Sequence, residues 1–94
     1  MDVKVKYNKL DNPDAAYQAA KSFLTPEMIA TWKVKATVNY QDSSRLINAK
    51  GRGFELNICF LDDAAEVTLK LSILLRPVKG KVLSTIERHL SEVV

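Results

Sequence analysis

The sequence predicts one α+β domain over residues 1–94, a two-layer sandwich in which a curved antiparallel sheet of about five strands carries helices on one face. Four segments alternate apolar and polar residues with the period of two that is typical of half-buried strands, and a fifth, Arg45–Lys50, does so less regularly. Two other segments repeat apolar residues at the three- and four-residue spacing of amphipathic helices. The last four strands are joined by short connections, which favour an antiparallel meander because parallel pairing needs crossovers of about a dozen residues. The predicted order is β-α-β-β-β-β-α.

The first two elements are a strand and a capped helix. Apolar residues alternate with polar ones over Val3–Tyr7, so this segment is predicted to be the first strand. Asn12 precedes Pro13 in the order expected of an N-cap and the first helical residue. Apolar residues then recur at helical spacing up to about Leu24, where this helix is predicted to end.

A short helix and a long strand are predicted next. Thr25 can cap a helix that begins with proline, so Pro26–Ala30 is predicted to be helical. Over Trp32–Tyr40 the apolar period is two, which indicates an amphipathic strand. The polar cluster Gln41–Ser44 is typical of a turn and is predicted to end that strand.

The second half of the chain is predicted to contain three more strands and a closing helix. The strands are predicted over Arg45–Lys50, Phe54–Phe60 and Val67–Ile73. Gly51 and Gly53 indicate a tight hairpin between the first two of them, and Pro77 is predicted to end the extended run. Helical spacing of apolar residues returns over Val78–Val93.

The composition excludes several classes of protein. One cysteine allows no internal disulfide, and no apolar run reaches the roughly 18 to 20 residues of a membrane-spanning helix. With no signal-peptide pattern visible, we expect a cytoplasmic location. The single cysteine, Cys59, and the single histidine, His89, fall on different predicted elements, so neither a nucleophile with its base nor a metal site is expected. We therefore expect no enzyme activity and no cofactor.

Nucleic-acid binding is not expected either. The net charge of +3 is modest, although several lysines fall on the polar face of the predicted sheet. These lysines are Lys4, Lys6, Lys33, Lys35 and Lys70. The strand aromatics Trp32, Tyr40, Phe54 and Phe60 all fall in the apolar register. The lysine-bearing face is therefore predicted to offer no ring on which a base could stack.

One stretch stands out as a candidate binding surface. Residues 67–86 contain four cations and no acidic residue, and Lys79 and Lys81 oppose the dipole at the start of the closing helix. Three consecutive apolar residues, Ile73–Leu75, break the strand alternation, so Leu74 is predicted to face solvent. The candidate residues are Leu74, Leu75, Arg76, Val78, Lys79 and Lys81. The alternatives are a solvated charged face and core packing beneath the helix.

A family resemblance lies in the same stretch. The residues that carry it are Ala49–Glu55, Leu69–Pro77 and Val78–Val82, followed by the closing helix. Over roughly Ala49–Val94 the chain resembles the polyhydroxyalkanoic acid system proteins, a bacterial family encoded near polyhydroxyalkanoate synthesis and granule genes. The first half matches more loosely, because Thr25–Glu27 interrupts a helix that is longer in that family. The resemblance implies a non-enzymatic accessory protein, associated with polyester granules or their proteins, and it implies no catalytic residues.

Two other functions are compatible with the sequence. A miniature helix-grip fold could carry a small apolar ligand in a pocket between Trp32, Phe54, Phe60 and the closing helix. The small core argues against a large cavity, since each missing methyl-sized volume costs about 1 kcal/mol. The third hypothesis is a protein-interaction module, for example a homodimer formed through an edge strand or the polar sheet face.

Overall fold

The computed structural model describes residues 2–31 and 35–94. The strands in that part of the chain are β1 (Val3–Lys6), β2 (Ala36–Gln41), β3 (Leu46–Gly51), β4 (Phe54–Phe60) and β5 (Ala64–Leu71). The helices are α1 (Pro13–Phe23), α2 (Pro26–Ala30), a 3₁₀ helix (Ile73–Val78) and α3 (Lys79–Val93). The first three residues of the predicted strand Trp32–Tyr40 lie outside the described residues.

The five strands form one antiparallel sheet, which confirms the predicted α+β class. The strand order is β1-β5-β4-β3-β2, so β2 to β5 form a meander and β1 is added beside β5. In the register, Ile58 of β4 lies between Ile47 of β3 and Val67 of β5, and Val67 pairs in turn with Val3 of β1. Rows of this kind place the apolar residues of all strands on one face.

The helices and the apolar sheet face share one core. Helix α1 contributes Ala16, Tyr17 and Ala20, and α3 contributes Val82, Ile86 and Leu90, which all belong to the cluster formed by the inward-facing strand residues. The other sheet face carries mostly polar side chains and is not part of this cluster. An antiparallel sheet tolerates such a solvated face.

Both predicted helix caps are present. The Asn12 side-chain oxygen accepts a hydrogen bond of 2.8 Å from the backbone N–H of Ala15. Thr25 Oγ1 accepts one of 3.2 Å from the backbone N–H of Met28, at the start of α2. Each cap is followed by a proline in the first helical turn, where a missing N–H costs nothing.

The last strand ends earlier than its alternation predicts. The prediction of strand up to Ile73 is wrong, because β5 stops at Leu71 and Ile73–Val78 forms a 3₁₀ helix that continues directly into α3. Ser72 N–H still donates to the Gly53 carbonyl at 2.8 Å. The Ser72 carbonyl then accepts from the N–H groups of Leu75 and Arg76 at 3.0 and 3.1 Å, which turns the chain. Pro77 therefore lies inside a helical turn instead of ending a strand.

Candidate functional site

The 3₁₀ helix exposes large apolar side chains at one end of the sheet. Leu74 is 90% exposed, Ile73 is 77% exposed and Val78 is 44% exposed. We call these three residues the apolar tip. Apolar side chains that are exposed next to one another are typical of surfaces that bind a protein, a membrane or a ligand. The sequence predicted exposure at Leu74, whereas Ile73 was missed because it extends the strand alternation.

The structure separates the two leucines of the candidate surface. A 3₁₀ helix has three residues per turn, so Leu75 points away from its neighbour Leu74. Leu75 is half-buried and packs against the core cluster, and its Cδ1 atom reaches over the hairpin at Gly53. Leu75 therefore anchors the turn, while Leu74 is available to a partner.

The cations beside the tip differ in their surroundings. Arg76 and Lys81 are exposed, whereas Lys79 is half-buried and its Nζ lies 3.2 Å from Oδ1 of Asp2. The other oxygen of Asp2 accepts a hydrogen bond of 2.7 Å from the backbone N–H of Leu69. This hydrogen bond, with the Lys79 ammonium, holds the pKa of the Asp2 carboxyl below its usual value. Part of the charge at the start of α3 is therefore neutralised within the molecule, by a residue that the sequence analysis missed.

Two open clefts flank this end of the sheet. The larger, of about 390 Å³, is lined by Leu69, Lys70, Leu71, Arg76 and Lys79. The second, of about 280 Å³, shares Lys70 and Leu71 and continues along the β3–β4 hairpin. The candidate residues Arg76 and Lys79 thus face the same cleft as Lys70, a cation on β5.

The polar sheet face forms ordered rows of side chains. Asn39, Asn48, Asn57 and Thr68 pair in register across β2 to β5. The Asn48 side-chain amide donates to the Asn57 side-chain oxygen at 2.7 Å. The strand aromatics Tyr40, Phe54 and Phe60 lie in the opposite register, as predicted. Within the described strands, this face offers amides and charges but no ring for base stacking.

The residues with catalytic potential stay apart. Cys59 is half-buried on the polar face of β4, opposite Glu66. His89 lies on α3, on the core side of the sheet, where it stacks on Phe23 with ring centroids 5.6 Å apart. Residues 2–31 and 35–94 contain no group of three or more histidine, cysteine or acidic side chains that could hold a metal ion.

Of the three aromatic residues expected to line a ligand pocket, two are buried in the core. Phe54 and Phe60 are buried, and Phe60 packs edge-on against Tyr17 with ring centroids 5.8 Å apart. The third, Trp32, lies outside the described residues. The two phenylalanine rings therefore serve as core packing, and the carrier hypothesis gains no support from them.

A cluster of three side chains, Tyr17, Lys21 and Asp42, fixes α1 against the β2–β3 turn. The Tyr17 hydroxyl donates to Oδ1 of Asp42 at 2.6 Å, and Lys21 Nζ donates to the same oxygen at 3.1 Å. Burial, together with this hydrogen bond, raises the pKa of Tyr17 to about 12. A tyrosine held in its protonated form is a poor general base, so the arrangement is a structural one.

The three tyrosines are expected to ionise at higher pH in the native protein than in the unfolded chain. Burial raises the pKa of Tyr7 and of Tyr17 to about 12, and raises that of Tyr40 above its ordinary 10.0. Because the native state binds these protons more tightly, the stabilisation is complete below pH 10 and is lost as the pH rises from 10 to about 12. Tyrosinate absorbance, recorded against pH with and without denaturant, measures this. Coinciding curves would contradict it.

The tip and its clefts occupy one end of the molecule, where β5 passes into the 3₁₀ helix. Among the described residues, no helix is long and apolar enough to cross a membrane. Comparison of the chain with protein-family models, with curated proteins and with solved structures found no match.

Proposed function

We propose that this protein is a non-enzymatic accessory protein of the bacterial polyhydroxyalkanoate system that binds the surface of polyester granules through the apolar tip. The observation that carries the proposal is the exposure of Leu74 and Ile73 on a turn anchored by Leu75. The stretch that resembles the polyhydroxyalkanoic acid system proteins, roughly Ala49–Val94, contains this turn. The proposal thus rests on two features that coincide in the chain.

The mechanism is interfacial. Leu74 and Ile73 enter the apolar surface, and complete burial of such a side chain contributes about 1.5–3 kcal/mol. Arg76 and Lys81 keep their charged ends in water while their methylene stems lie along the surface. Because the backbone of the turn is already fixed by hydrogen bonds to Ser72, little conformational entropy is lost on binding.

Replacing Ile73 and Leu74 together by serine is expected to release the protein from granules. The two side chains are exposed, so the double variant should keep its fold while losing most of the apolar area that enters the surface. The measurement is the fraction of tagged protein that sediments with granules from polyester-accumulating cells. Leu75 is left unchanged, because its side chain packs against the core.

The matched control is Leu61→Ser. Leu61 is also an exposed large apolar residue, but it follows β4 at the end of the strand opposite the hairpin that adjoins the tip. This variant should stay on granules as the wild type does. If the wild-type protein remains in the supernatant of granule-rich cells, or if the Ile73→Ser, Leu74→Ser variant sediments unchanged, the proposal is refuted.

A further inference from the structure

We infer that the surface recognised by the apolar tip is a lipid layer with anionic phosphate headgroups, rather than a bare uncharged polymer. This inference rests on the proposed function and names the partner of the same site. It follows from the charges that surround the tip, from the cleft beside it, and from the lack of a counter-charge at an uncharged surface.

The chain segment that contains the tip carries only positive charges. Residues 67–86 hold Lys70, Arg76, Lys79 and Lys81 and no acidic residue. Within residues 2–31 and 35–94, the ion pair of Lys79 with Asp2 is the only one that any of these four makes. Glu55 pairs in register with Lys70, but Lys50 lies on its other side, so that row still carries a net positive charge.

The cations lie where headgroups would be when the tip is inserted. Arg76 follows Ile73 by three residues, which places both side chains on one face of the 3₁₀ helix. The cleft of about 390 Å³ next to them has cationic walls from Arg76, Lys70 and Lys79, and an apolar wall from the partly buried Leu71. That volume has room for a phosphate group, and its mixed lining suits the junction between headgroup and acyl chain.

An uncharged polymer surface would not suit these side chains. Cations that stay in water beside an uncharged low-dielectric phase gain no counter-charge there, so they do not strengthen binding. Anionic headgroups supply the missing counter-charge, so each Lys or Arg near such a surface strengthens binding by about fivefold. Three such cations, Arg76, Lys81 and Lys70, together predict a preference of about a hundredfold for an anionic over a zwitterionic surface.

The test is flotation of the full chain with vesicles of phosphatidylcholine alone, or of phosphatidylcholine and phosphatidylglycerol in equal parts. We expect about hundredfold tighter binding to the anionic vesicles at physiological salt. The preference should fall towards equality at about 1 M salt, where the Debye length is only about 3 Å. Arg76→Gln with Lys81→Gln should weaken binding to anionic vesicles by about 25-fold and leave binding to phosphatidylcholine unchanged. The control, Lys6→Gln with Arg88→Gln, removes the same charges elsewhere and should retain the preference.

Three results would overturn the inference. These are equal binding to the two vesicles, absence of binding to the anionic ones, and release by inorganic phosphate at matched ionic strength, which would indicate a site for a small anion. Different results would refute the inference and the proposed function. Granule sedimentation that depends on Ile73 and Leu74, without any charge preference on vesicles, would remove this inference alone. Binding to anionic vesicles by a protein that never sediments with granules would remove the granule assignment instead.

Discussion

Replacing Leu56 by alanine is expected to lower the free energy of unfolding by about 2–5 kcal/mol. Leu56 is fully buried on the central strand β4, where it lies in register between Ala49 and Leu69. Its neighbour Ala49 is too small to fill the cavity, so the lost contacts are not replaced. A domain of this size has a total stability of about 5–15 kcal/mol, and the change is a large fraction of it. Urea unfolding of the variant and the wild type measures the difference.

The matched control is the same substitution at Leu74. Since Leu74 is 90% exposed, its truncation removes almost no buried surface and should change stability by less than about 0.5 kcal/mol. A Leu74→Ala variant as unstable as Leu56→Ala would show that the turn packs against the protein. The assignment of Leu74 to a binding surface would then be lost, together with the expectation that granule-binding variants stay folded.

Replacing Gly51 by alanine is expected to lower the free energy of unfolding by about 3 kcal/mol and to disrupt the start of strand β2. A Cβ atom at Gly51 would lie 2.1 Å from the carbonyl oxygen of Lys35, next to the point where Ala36 pairs with Gly51. The obstructing atom belongs to the backbone, so no side-chain rotation relieves the overlap. Urea unfolding reports the loss of stability, and amide hydrogen exchange in β2 reports where pairing is lost.

Gly80→Ala provides the opposite case in the same chain. Gly80 lies in the first turn of α3, and a Cβ atom there would meet no atom within 4 Å. Alanine favours the helix and restricts the unfolded chain, so a gain of about 0.4–1 kcal/mol is expected. If both glycine variants lose stability equally, the steric explanation for Gly51 is wrong.

Local chemistry explains why much of the fold could be predicted. The caps at Asn12 and Thr25 need only their own side chains and an N–H three residues on, so the sequence contains the whole interaction. Alternation likewise predicts β4 at its observed bounds, Phe54–Phe60. The place of β1 could not be predicted, because β1 joins β5 through contacts between segments that lie far apart in the sequence.

The candidate site was predicted in part, for the same reason. Exposure of Leu74 follows from three adjacent apolar residues, which cannot all face one side of a strand. The turn after β5 depends instead on the Ser72 carbonyl, which accepts from the N–H groups of Leu75 and Arg76. The role of Leu75 depends on its packing over the hairpin at Gly53. The pairing of Asp2 with Lys79 had no local signal, since it exists only once β1 lies beside β5.

The position of β1 in the sheet sets an order for folding. Strands β2 to β5 are neighbours in sequence and can pair through short hairpins, whereas the bond between Leu69 and Asp2 joins residues 67 positions apart. The entropy needed to close a loop rises with its length, so pairing of β1 comes late. The Val94 carbonyl then accepts hydrogen bonds from the N–H groups of residues 8–10, directly after β1. During synthesis, β1 can therefore join the sheet only after β5 has emerged from the ribosome.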